Sequence, residues 1–252
     1  MHRNVVIVAF AVLPLALGVA VVSLRAADVP PVAGDPPVHA VAATTPGPAP
    51  GSASGPAPGP TPPARPRPLL VVIGASFSAA VGADSRGNAW PEVLTRTLGW
   101  RLAVSADPGA GYVNPGLGHR GPFARLAADL DLRRLNPTVV IVQGGHDDIG
   151  QPPGLVSARV TQLIQQVRAA CPRSKVDILT VFSTGDRPSP AAIATDTAIV
   201  TTARRADPGI TVFDPLTEHW RFPRIHDQLH PSPAGHRWIA DQLVVTMRRQ
   251  AS

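Results

Sequence analysis

Five short apolar runs recur along the chain: LLVVIG at 69–74, RLAVSA at 101–106, TVVIVQG at 138–144, KVDILTVF at 175–182 and GITVFD at 209–214. Each is stopped by glycine, proline or polar residues. Runs this short and this uniformly apolar suit strands buried on both faces of a parallel sheet. Between them lie longer stretches with apolar residues three and four apart, at 90–99, 122–135, 154–170 and 190–206, and a last one follows at 233–249. Prolines at or near several of their starts suit the first turn of a helix. Alternating strands and amphipathic helices predict one α/β domain over 69–252, a three-layer α/β/α sandwich with a mostly parallel sheet of about five strands.

The 252-residue chain carries two further segments ahead of that domain. VVIVAFAVLPLALGVAVVSL, residues 5–24, is uncharged and has about the ~20 apolar residues needed to cross a bilayer as a helix. Residues 1–24 are therefore expected to be a membrane anchor or a signal peptide. Gly18 and Ala20 are small enough for a cut after Ala20, but the exit SLRAADV offers no clean small-x-small site. Arg3 on the leading side favours a cytoplasmic N-terminus. The expectation is a cell-membrane protein with an extracytoplasmic domain, or a secreted one if the segment is cleaved. Residues 25–68, rich in Pro, Ala, Gly, Ser and Thr, show no apolar period and read as a disordered linker.

The net charge is +6 and the sequence pI about 11.0. The basic residues are scattered along the sequence without interleaved aromatics, which argues against nucleic-acid binding. A basic domain outside the cytoplasm is suited instead to anionic polymers or lipid surfaces. The single cysteine, Cys171, cannot form an internal disulfide, and no catalytic cysteine signature surrounds it.

In a parallel α/β sheet, ligands sit at the carboxyl ends of the strands. Four polar or glycine-rich loops fall there: GASFS after the first strand, ADPGAGY after the second, GGHDDIG after the third and DQLHPS after the fifth. Taken singly they have ordinary explanations: Ser76 as a helix cap, His236 as a helix-face residue, and the glycines as turn formers. Together they hold what nucleophilic ester cleavage needs: a hydroxyl (Ser76), a histidine to take its proton (His230) and a carboxylate to orient that histidine (Asp227). Donors for an oxyanion would be the amide of Ser76, Gly109 and residue 147. No cofactor or metal is required. Trp220, Phe222 and Tyr112 are candidates for an acyl or sugar pocket, with core packing as the commoner role of such aromatics.

The four blocks VVIGASFSAAVG, ADPGAGY, VVIVQGGHDDIG and DQLHPSPAGH resemble, in order and position, those of the SGNH, or GDSL-like, hydrolases. The resemblance spans nearly all of 69–252. It implies a serine esterase or lipase, monomeric, acting on an ester-containing small molecule, a lipid or an acylated glycan. By it Ser76 is the nucleophile, His230 the base, Asp227 its orienting acid, and Gly109 the oxyanion glycine, with Gly111 close enough to compete.

Two positions depart from the family's pattern. Ala75 replaces the aspartate of G-D-S, and Asp147 replaces the asparagine of G-x-N-D, in Gly145-His146-Asp147-Asp148. An ionised carboxylate cannot donate a hydrogen bond to an oxyanion. Three readings stay open: burial beside Asp148 keeps Asp147 protonated, His146 serves as the donor in a register shifted by one, or hydrolysis is slow. Two rivals remain. One is a metal-dependent hydrolase built on His146, Asp147 and Asp148 with Asp227 and His230; the other is an envelope binding domain that keeps the scaffold without turnover.

Overall fold

The computed structural model describes residues 66–185 and 187–250. The expected anchor 1–24 and nearly all of the expected linker 25–68 lie outside the described residues. Among those described, no helix is long and apolar enough to cross a membrane.

Five strands, β1 (Leu69–Gly74), β2 (Arg101–Ala106), β3 (Val139–Gln143), β4 (Lys175–Leu179) and β5 (Thr211–Phe213), form one sheet in the order β2-β1-β3-β4-β5. Every neighbouring pair is parallel. β1 and β3 lie side by side at its centre and are buried along their whole length, which is why their sequences are apolar without alternation. Alternation survives at a finer level, because successive side chains point to opposite faces. Leu69, Val71 and Ile73 enter one apolar layer, and Leu70 and Val72 enter the other.

Six helices cover the two faces: α1 (Trp90–Leu98), α2 (Phe123–Ala128), α3 (Leu132–Leu135), α4 (Pro153–Ala170), α5 (Pro190–Ala206) and α6 (Pro233–Gln250). The chain winds from β1 outward to β2, then back past β1 to β3, β4 and β5. With right-handed crossovers that reversal sends α1 to one face and α4 and α5 to the other. α6 returns to pack against α1, where Leu94, Ile239 and Leu243 are fully buried. Among the described residues, both layers draw their buried residues from Leu69 to Met247. Cys171 is buried at the end of α4, its Sγ against the Val167 carbonyl.

Two local expectations change. The single helix expected over 122–135 is broken into α2 and α3, because the Asp131 side chain accepts from the Arg134 amide and starts a new helix. The run KVDILTVF pairs as strand only to Leu179. The Thr180 amide still donates to the carbonyl of Phe213, the last residue of β5, at 3.0 Å, and the chain leaves the sheet beyond it at the carboxyl edge.

His236, read as a helix-face residue, is fully buried. Its Nδ1 accepts the amide of Trp90, the first residue of α1, at 3.2 Å, and its Nε2 lies 3.0 Å from the Val81 carbonyl. Burial lowers its pKa, so a neutral ring with Nε2–H donating satisfies both partners. One imidazole thus joins α6, the start of α1 and the loop after β1. Replacing it strands an amide and a carbonyl in the core. His236→Ala should lower unfolding free energy by about 3 kcal/mol, read as a lower urea midpoint.

Candidate active site

The sheet order reverses between β1 and β3, and in open parallel sheets the crevice at that point is where ligands bind. Ser76 lies two residues past the end of β1 and is buried. It sits in a single helical turn closed by the Ala79 amide on the Ala75 carbonyl. Gly74 permits that turn, since a Cβ there would lie 2.4 Å from Ser78 Oγ. The Ser78 hydroxyl in turn donates to Gln143 Oε1 at 2.7 Å, and the Ala75 amide donates to the Gln143 carbonyl at 3.3 Å. The serine loop is thereby stitched to the end of β3. Among the described residues the Ser76 amide has no acceptor.

Asp227 and His230 meet directly, with His230 Nδ1 2.6 Å from Asp227 Oδ2. The other oxygen, Oδ1, accepts the amides of Leu229 and His230, each at 2.9 Å. The imidazole bond, then the two amides, hold this carboxyl far below the usual carboxylate range. An ionised Asp227 keeps the proton on Nδ1 and leaves Nε2 bare. The loop is braced by Arg224, which donates to the Gln228 and Ser183 carbonyls and lies 4.9 Å from the Phe222 ring centre.

Three contacts bring this loop to the serine loop. The Phe77 ring, next to Ser76, stands 5.6 Å from the His230 ring. Gly82, with φ +87, lets the Pro231 carbonyl come so close that a Cβ would meet it at 2.1 Å. His236 holds the Val81 carbonyl from the following helix.

The loop after β2 is held by two buried carboxylates. Asp107 accepts the amides of Gly118 at 3.1 Å and Arg120 at 3.3 Å. Asp148 accepts three successive amides, Tyr112 at 2.7 Å, Val113 at 3.0 Å and Asn114 at 3.2 Å. The two candidate glycines separate here. Gly111 lies against Asp148, where a Cβ would be 2.3 Å from the carboxylate, and its amide is taken by the Asn114 carbonyl. Gly109 adopts φ +78, and among the described residues its amide has no acceptor.

His146, Asp147 and Asp148 form a short 3₁₀ turn after β3. Burial, reinforced by the charge of Asp148, pushes the Asp147 carboxyl up to about 6. The Asn114 side chain holds the Asp147 carbonyl. Burial lowers the pKa of His146, whose buried Nδ1 has no hydrogen-bond partner among the described residues. Asp148 turns away to its three amides. Among the described residues no three His, Cys, Asp or Glu side chains converge as a cation cage would.

Ser76 and Asp147 line one narrow cavity with Phe77, Phe182, Thr180 and Leu229. The aromatic candidates divide otherwise. Tyr112 is a core residue, 5.1 Å from the Phe123 ring, and Phe222 packs in an aromatic cluster with Phe77, Phe182 and Trp238. Phe182 and Leu229 were hidden in the sequence as strand and loop apolar residues. Asp107, Arg224 and His236 carried no signal beyond their type.

Loops at the carboxyl edge of this open parallel α/β sheet thus carry Ser76 and the Asp227–His230 pair. Residues 72–238 match the model of the GDSL-like Lipase/Acylhydrolase family, and the chain belongs to it. It is an ester-hydrolysing enzyme. It is 26% identical over 190 residues to the GDSL lipase Rv0518 of Mycobacterium tuberculosis, covering 69% of this chain and 79% of that protein. Its fold is similar to a family two carbohydrate esterase from Clostridium thermocellum, solved with cellohexaose. There the TM-score is 0.56 at 16% identity, over 75% of this chain and 66% of that one. The psychrotrophic esterase EstA from Pseudoalteromonas sp. gives a TM-score of 0.56 at 16% identity, over 73% of this chain and 98% of that one.

Because Gly111 and the Asp148 carboxylate occupy one space, Gly111→Ala should displace the loop that carries Gly109. The expected result is a stability loss of about 1–3 kcal/mol in urea unfolding together with a lower kcat.

Proposed function

We propose that the chain cleaves short-chain carboxylic esters, O-acetyl groups of glycans among them, through an acyl-enzyme on Ser76. The observation that carries this reading is the 2.6 Å contact between Asp227 and His230, on a loop locked against the one that bears Ser76. Ser76 Oγ attacks the ester carbonyl while His230 Nε2 takes its proton. The amides of Ser76 and Gly109, both without acceptors among the described residues, receive the oxyanion. His230 then gives its proton to the departing alcohol, and a water molecule repeats the sequence to release the acid.

Asp147 completes this site in its acid form, since a carboxyl kept neutral by burial can donate a hydrogen bond. The narrow cavity beside Ser76, walled in part by Phe77, Phe182 and Leu229, supports a short acyl group rather than a long chain. The carbohydrate esterase fold of a structural neighbour supports an acylated glycan on the alcohol side. The 5–24 apolar run supports a membrane-anchored enzyme with its catalytic domain outside the cytoplasm, or a secreted one if that run is cleaved.

Hydrolysis of p-nitrophenyl acetate tests the core of the proposal. Turnover should fall to background in Ser76→Ala and should be indifferent to a chelator. Chelator-sensitive turnover, or turnover equal in the variant, would reject the serine mechanism.

The role of Asp147 has its own signature. Protonated below about pH 6, it donates; above, its charge repels the oxyanion, so wild-type kcat/KM should decline relative to that of Asp147→Asn as pH rises through about 6. In Asp147→Asn the amide donates at every pH. That variant should gain ~10-fold or more over wild type at about pH 8. An unchanged profile would remove Asp147 from the oxyanion site.

A further inference from the structure

A parallel sheet sorts the chain's charges by height. Every strand begins, and the covering helices end, at the edge opposite Ser76. With β1 six residues long, the two edges are about 20 Å apart. Basic residues scattered through the sequence gather at that far edge. Arg67, Arg101, Arg173 and Lys175 stand just before or at the starts of strands, and all four are exposed. The last turns of α3, α5 and α6 add three exposed arginine pairs, Arg133 with Arg134, Arg204 with Arg205 and Arg248 with Arg249. Two carboxylates at this edge, Asp131 and Asp207, are already paired with Arg134 and Arg168.

Arginine in the last turn of a helix is ordinary, since it complements the helix dipole. That explanation does not reach the four residues at strand starts. Those four extend the charge of the helix ends along the sheet's edge, well beyond what the helices need.

We infer that this basic edge is a docking surface for the anionic headgroups of a lipid bilayer. A bilayer is favoured over other polyanions by where the chain enters. Residues 66–68 lead into β1 at this same edge, and the sequence upstream carries the uncharged run 5–24. An anionic leaflet attracts each nearby lysine or arginine, and the attraction decays within a Debye length. Docking this edge turns the Ser76 edge away from the membrane, open to substrates in the surrounding space.

The test uses the chain from Arg65 onward, which keeps every residue of the two apolar layers but lacks the apolar run, sedimented with lipid vesicles. Binding is expected to vesicles containing phosphatidylglycerol and not to phosphatidylcholine alone, and it should weaken about tenfold or more in high salt. Arg204→Glu with Arg205→Glu, and separately Arg173→Glu with Lys175→Glu, should each weaken it roughly tenfold or more. Arg86→Glu, on the catalytic edge, should not. Unchanged circular dichroism and p-nitrophenyl acetate turnover would show that the variants are folded. Equal binding by wild type and reversed variants, or no binding to phosphatidylglycerol, would overturn the inference. Tighter binding to duplex DNA at equal phosphate concentration would overturn the lipid assignment.

Discussion

The catalytic edge is assembled around one buried carboxylate. Asp148 is inaccessible to solvent and accepts three successive backbone amides from residues 112–114. A buried anion is costly unless such donors surround it, and buried amides are costly unless accepted, so each requirement answers the other. The contact fixes the loop after β2 to the turn after β3, and through them Gly109 to Asp147. It also explains Gly111, because any side chain there would occupy the carboxylate's place. Burial first, and then the same charge, raise the pKa of Asp147, so the structural acid helps to tune its neighbour.

The other half of the edge depends on close backbone approach and one histidine. Gly82 lets the loop after β1 touch Pro231, and His236 ties the same loop to α1 and α6. Asp227 and His230 lie three residues apart and find each other locally. Their placement beside Ser76 does not follow from that proximity. It follows from α6 packing on α1, which sets the depth of His236 and the position of Pro231 with it. Stability of this layer and geometry of the site are therefore one property, carried by the same residues.

Charge obeys the same topology at a larger scale. A net charge of +6 spread along the sequence has little meaning, but parallel strands and returning helices collect basic residues at one edge. Loops bearing aspartates and histidines collect at the other.

Much was legible in the sequence because it is written in local physics. Short apolar runs stopped by glycine announce buried parallel strands, and spacings of three and four announce helices, so all five strands and the layered architecture follow from 69–252 read alone. The order of the four polar blocks pointed to the carboxyl edge of the sheet and made Ser76, Asp227, His230, Gly109 and Asp147 the candidates there. Only the tertiary structure separated Gly109 from Gly111, because the difference lies in a carboxylate 37 residues away in the chain from Gly111 that fills one site and not the other. Only it moved Tyr112 into the core, placed Phe182 and Leu229 beside Ser76, and turned His236 from a helix-face residue into a buried pin. Such facts concern which atoms meet across long separations, and residue type and spacing do not encode them until the sheet has set its order.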